Sequence, residues 1–223
     1  MRKLSVCNAC KIACYCSKDC QRTDWQKHKS MCRQQTACRE MLKSFANSPA
    51  GLLGRLFLPD GISAYEYYER LDRWVEFHKL VLSECAIFGL ELHRDVSNCQ
   101  RQVMYVGVRP RVRDEHKDKH GKFFSFVAAY PIDISEALER YPPSCPTSLA
   151  YLKKRQDDSL KDGKGNVAGM IVEVFDGPSN LIPLTSLREE MLKDRQYPGV
   201  KWRECLMFHI DSGLKLTPKT MRF

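Results

Sequence analysis

Apolar positions along the chain follow two different periods. In "SAYEYYERLDRWVEFHKLVLSECAIFGLELHR" they recur at helical spacing, with Leu71, Trp74, Val75, Leu80, Val81 and Ala86 on or near one stripe and Ser63 placed to cap the N-terminus. This predicts one long helix or two in series. The period then shortens. "RQVMYVGVRPRV" reads as a strand through Val103, Tyr105, Val106 and Val108, "KFFSFVAAYPI" is aromatic and β-rich, and "VAGMIVEVFDG" is a strand ending in a turn.

Helical patterns return in "DISEALERY" and "PLTSLREEMLKDR", whereas "YPPSCP" and the charged "KKRQDDSLKDGKGN" read as loops. "KWRECLMFHIDSGLKL" fits a strand or a helix. Residues 64–223 therefore form an expected α+β domain: a helix, then a small, mostly antiparallel sheet carrying further helices. Ahead of it, residues 34–63 are a helix-tending connector that turns at Pro49, Gly51, Gly54, Pro59 and Gly61.

Residues 1–33 show neither period. They hold six of the eleven cysteines of the 223-residue chain: Cys7, Cys10, Cys14, Cys16, Cys20 and Cys32. The charge is also concentrated here. Residues 1–50 carry ten Lys/Arg against three Asp/Glu, while the other 173 carry twenty-six against twenty-four, out of a net +9.

Met1-Arg-Lys-Leu has no apolar signal region. The longest apolar stretch, "LVLSECAIFGLEL", is interrupted by Glu84 and Glu91 and is too short to span a bilayer. An intracellular setting, nucleus or cytoplasm, is expected, and clustered cysteines there point to metal rather than disulfides.

The spacing is Cys7-x2-Cys10-x5-Cys16-x3-Cys20-x7-His28-x3-Cys32. A C-x2-C turn aims two thiolates at one ion, and His28 and Cys32, four apart, share a helix face. Thr23 and Gln26 make a T-x-x-Q capping box for that helix. The two elements can close a Cys3His zinc site from Cys7, Cys10, His28 and Cys32. A closed four-ligand site is structural. Three thiolates and a neutral imidazole around zinc leave a net −1 centre, which the local Lys and Arg offset. Nucleic acid is therefore not expected as a partner.

"YCSKDCQRTDWQKHKSMC", with Cys7 and Cys10 before it, resembles a MYND zinc finger. Cys7, Cys10, Tyr15, Cys16, Ser17, Cys20, Gln21, Asp24, Trp25, His28 and Cys32 agree in type and spacing. The resemblance implies two interleaved zincs. Cys7, Cys10, His28 and Cys32 would hold one. Cys16 and Cys20 would hold the other, with an opening C-x2-C pair that this sequence lacks. Three readings stay open: a sequence that starts late, a single-zinc module with Cys16 and Cys20 free, or completion of the second site by Cys14 or Cys38.

The resemblance also implies a groove at Gln21 and Trp25 for short proline-containing peptides of partner proteins. Trp25 alternatively packs as mini-core under the zinc knuckle, and the two roles are compatible.

Elsewhere, His116 and His120 read as part of a charged loop, the "RPRVRD" run as a solvated strand end, and Cys38, Cys85, Cys99, Cys145 and Cys205 as unpaired thiols. Some proteins with this finger carry a methyltransferase domain, but its Asn-His-Ser-Cys core and Gly-rich cofactor segment are not found. Nor is a P-loop, a G-x-S-x-G elbow, a dinucleotide fingerprint or the C-x-H step of a ubiquitin-ligase cross-brace. The expected function is a non-enzymatic, zinc-binding interaction module without a membrane role. The alternative is a methyltransferase-like protein or a nucleic-acid-associated regulator.

Overall fold

The computed structural model describes residues 5–10, 13–140, 144–175, 179–193 and 201–217. The chain divides into two compact units, residues 1–69 and 70–223.

The first unit opens with a two-stranded antiparallel hairpin, β1 (Ser5–Val6) and β2 (Cys14–Tyr15), pairing Ser5 with Tyr15 and Val6 with Cys14. One long helix follows, α1 (Lys18–Ala46, 29 residues). Its cap differs from expectation. Ser17, in extended conformation, accepts a 3.0 Å hydrogen bond from the Cys20 N–H. Thr23 lies inside the helix, where its hydroxyl bonds back to the Asp19 carbonyl at 3.0 Å. Starting at Lys18 places Asp19 in the first turn, where a negative charge suits the helix dipole.

A sharp corner leads into α2 (Pro49–Gly54), capped by Ser48 with Pro at the first turn. Single turns of 3₁₀ helix follow at Arg55–Phe57 and Pro59–Gly61. Ser63 then caps α3 (Ala64–Gly89) as expected. Its hydroxyl accepts from the Glu66 N–H at 3.2 Å, and the Glu66 carboxylate accepts from the Ser63 N–H at 2.8 Å. α3 is one helix, not two in series.

The second unit begins within α3, at Arg70, and there α4 (Asn98–Arg101) leads into β3 (Gln102–Pro110). Then come α5 (Arg113–His116), β4 (Phe124–Asp133), α6 (Ile134–Arg140), α7 (Ser144–Lys161), β5 (Asn166–Val174), β6 (Ser179–Leu187), α8 (Glu189–Lys193) and α9 (Trp202–Ser212). The strands form one sheet in the order β4-β3-β5-β6. β3 pairs antiparallel with β4 and parallel with β5, and β5 pairs antiparallel with β6. The class is α+β, with a mostly antiparallel sheet.

β3 and β5 are buried at nearly every position, not at alternate ones. The reason is that both faces of the sheet are covered, which turns a strand into a continuous apolar run. On one face Val103, Tyr105 and Ile171 pack with Ala137 of α6 and Leu149 and Leu152 of α7. On the other, Trp74 of α3 meets Phe124 edge-on at 5.7 Å, and Met104 lies against Gly89. Gln156 of α7, buried, donates to the Cys99 carbonyl at 2.7 Å and the Val167 carbonyl at 3.0 Å.

Two segments depart from the sequence reading. The charged "KKRQDDSLK" is helix within α7, because Leu149, Leu152 and Gln156 form a buried stripe beneath its exposed charges. "PLTSL" belongs to strand β6, so the helix expected there begins only at Glu189. The "KWRECL" stretch resolves as helix α9. Tyr141, Pro142 and Pro143 of the expected "YPPSCP" loop lie outside the described residues, and Ser144 onward is helical. Among the described residues no helix is long and apolar enough to cross a membrane.

Candidate metal centre

The hairpin and the helix together build the site. Cys7 and Cys10 sit on the turn between β1 and β2, closed by a 2.7 Å hydrogen bond from the Cys7 N–H to the Ala13 carbonyl. His28 and Cys32 come from successive turns of α1. All four side chains are buried, and their ligand atoms lie within 4.8 Å of one another.

The spacing tests the fit to zinc. At tetrahedral angles, zinc–sulfur bonds of about 2.3 Å and zinc–nitrogen bonds of about 2.0–2.1 Å put two sulfurs about 3.8 Å apart and a sulfur about 3.5–3.6 Å from a nitrogen. Cys7 Sγ and Cys32 Sγ are 3.8 Å apart, and Cys10 Sγ lies 3.5 Å from His28 Nε2. A disulfide would need sulfurs about 2.05 Å apart. These two edges match those of a zinc tetrahedron, and every other pair lies within 4.8 Å.

The thiols differ in their readiness to ionise. Burial works against a Cys7 thiolate, but the backbone N–H groups of Cys10 and Ala9 and the His28 ring outweigh it, and its pKa falls to about 6. Cys32 is pushed up to about 11 by burial and by the Cys7 thiol beside it. A coordinated cation deprotonates both.

A second ring of residues holds the ligands in place. The Tyr15 hydroxyl donates to the Asp24 carboxylate at 2.9 Å, tying the end of the hairpin to the helix. Burial and this carboxylate both raise the Tyr15 pKa, so the phenol stays protonated. The Tyr15 ring meets His28 edge-on at 5.9 Å, and Trp25 meets it from another side at 6.1 Å. Tyr15 and Asp24 belong to the motif, yet their pairing cannot be read from spacing, because it depends on how the hairpin folds back onto the helix. Ser17 was likewise missed as the helix cap. The S-x-x-C step ahead of an acidic first turn was the signal for it.

Cys16 and Cys20 lie apart from this cluster. Both are exposed at the start of α1, and the Cys16 thiol sits against Cys20, whose pKa it raises. Cys38 does not complete a site with them. It lies on the same helix 18 residues beyond Cys20, about 27 Å along the axis. The Cys14 side chain lies outside the described residues, although its backbone forms β2. Gln21 is half-buried and Trp25 is 38% exposed, one helical turn apart on α1.

His116 and His120 are not a metal pair. His116 is fully buried, with Arg70 3.3 Å from its Nε2 and the Asp118 N–H donating to its Nδ1 at 2.9 Å, whereas His120 stacks beside Phe123.

The MYND finger family matches residues 1–32. A similar protein, the histone-lysine N-methyltransferase ASHR1 of Arabidopsis thaliana, is 29% identical over 55 residues. That stretch is 25% of this chain and 12% of the Arabidopsis protein. No solved structure matches the chain. With the Cys3His cluster, the match identifies residues 1–32 as a MYND-type zinc finger, in which Cys7, Cys10, His28 and Cys32 are placed to hold a zinc ion.

Proposed function

We propose that the finger is a docking module for short proline-containing peptides of partner proteins, with zinc in a purely structural role. The observation that carries this reading is Trp25. Its ring leans on the buried ligand His28 yet keeps 38% of its surface outside. An indole held from behind is a low-entropy platform for a proline ring. Gln21, one turn earlier, supplies an amide to bond the peptide backbone. Cys16 and Cys20, paired and exposed beside Gln21, are the ligands through which a second zinc would stiffen the same edge. The surrounding Lys and Arg compensate the thiolates and favour acidic peptides. The module acts inside the cell, in nucleus or cytoplasm, and needs neither nucleic acid nor a membrane.

The test is binding of the full chain to an array of short proline-containing peptides and their Pro→Ala counterparts. Trp25→Ala is expected to abolish capture while zinc content stays unchanged. Capture that persists in Trp25→Ala, or that ignores the prolines, overturns the reading.

The Arabidopsis match favours one second reading, in which the chain is linked to protein methylation. Transfer of labelled methyl from S-adenosylmethionine to histones by the purified chain would establish it.

A further inference from the structure

We infer that the chain associates with a second copy of itself through the apolar corner formed by the end of α1, by α2 and by the 3₁₀ turn after it. Met41 and Phe45 lie one turn apart near the end of α1, and Leu52, Leu53, Leu56 and Phe57 follow within the next twelve residues. All six are exposed, from 47% at Phe45 to 87% at Phe57.

The seating of α2 explains why. α2 meets α1 through Gly51, which is buried, and a Cβ there would collide with the Phe45 carbonyl. The corner is fixed by Ser48, whose hydroxyl donates to the Phe45 carbonyl at 2.7 Å and accepts from the Gly51 N–H at 3.1 Å. With a glycine as the close contact, Leu52 and Leu53 keep 54% and 64% of their surface outside. They are turned outward.

The size of the patch points to a like partner. Six such side chains, each with roughly 100–200 Å² outside, expose on the order of 700 Å², close to the about 800 Å² that each partner gives to a standard interface. Summed over the six, this compares with about 300–600 Å² for the largest apolar patch on a typical monomer. Homodimer interfaces are the more apolar kind.

A symmetric contact sets each patch against its own copy, so a charged patch would repel itself. Here Lys43, the nearest ammonium on α1, is paired with Glu40 at 2.9 Å. The basic residues Lys18, Arg22, Lys29 and Arg33 fall on a different stripe of α1, about 130° around from Met41 and Phe45. Those four thus stand clear of the contact, and Arg55, between Leu53 and Leu56, is a charge within it.

Light scattering coupled to size exclusion on the zinc-loaded full chain tests this. The wild type is expected at about twice 25.8 kDa at tens of micromolar. The Leu56→Ser/Phe57→Ser variant is expected at half that mass, with its dimer dissociation constant raised at least tenfold. Both positions are exposed, so helix content and zinc stoichiometry should be unchanged. Phe208→Ser, an exposed aromatic on α9, should stay dimeric. A wild type that is monomeric throughout overturns the inference and leaves the corner to a different partner protein. A dimer that survives Leu56→Ser/Phe57→Ser, or that falls apart in Phe208→Ser instead, overturns it as well.

Discussion

Asp24→Ala removes the acceptor of the Tyr15 hydroxyl without touching a zinc ligand. Tyr15 is 5% exposed, so its O–H is left buried with its 2.9 Å partner gone. An unsatisfied buried donor costs about 1–3 kcal/mol. Folding of so small a module is coupled to metal binding, so the loss registers as weaker zinc affinity, by about 5- to 140-fold. Tyr15→Phe removes donor and need together. Asp24 is only half-buried and can turn to water, so that variant loses about 1 kcal/mol, or about fivefold. The double variant should match Tyr15→Phe, because removing both partners leaves nothing unsatisfied. Zinc competition against a chromophoric chelator at neutral pH measures all three. If Tyr15→Phe is as damaging as Asp24→Ala, or if the double variant shows the summed losses of the singles, the pairing does not support the site in this way.

Two further outcomes follow from the geometry. His78 is buried on α3, with Nε2 bonded to the Gly121 carbonyl at 2.9 Å. Burial lowers its pKa from 6.5 to about 4, with Arg111 and His209 adding to the shift. A depressed histidine contributes stability that is full above pH 6.5 and lost as pH falls toward 4, about 2 kcal/mol between pH 7 and 5. Urea unfolding of the wild type should show that slope and His78→Gln should flatten it; equal slopes would remove His78 as the cause. Cys16→Ser/Cys20→Ser should keep the zinc bound by Cys7, Cys10, His28 and Cys32 at unchanged affinity, since the pair lies outside that tetrahedron. Metal analysis finding no zinc in the variant would show that the two clusters cannot be separated.

The metal centre was readable because ligand chemistry fixes its spacing. Few residue types bind zinc, and two separations, C-x2-C on a turn and H-x3-C on a helix, define its geometry. The strands β3, β4 and β5 were readable from β-branched and aromatic runs. α7 was not, because Lys153, Lys154, Asp157 and Asp158 dominate its surface and the core position at 156 is filled by a glutamine. That glutamine is buried only because two backbone carbonyls receive its amide. β6 was misread because Leu184 and Leu187, three apart, mimic a helix face. In the sheet both are buried, and Pro183 is tolerated because β6 is an edge strand. The exposed corner at α2 gave no sequence signal, since leucines at that spacing ordinarily face inward.

α1 runs unbroken from the metal to that corner. Cys32 lies 14 residues before Ala46, about 21 Å along the axis. A free helix of that length is marginal in water, because starting one costs more than extending it. Zinc removes the starting cost by locking His28 and Cys32 into consecutive turns. The metal is thus the nucleus for distant turns it never touches, including those that present Met41 and Phe45. Zinc supply and self-association are then thermodynamically linked: chelation loosens the dimer, and dimerisation tightens the hold on the ion.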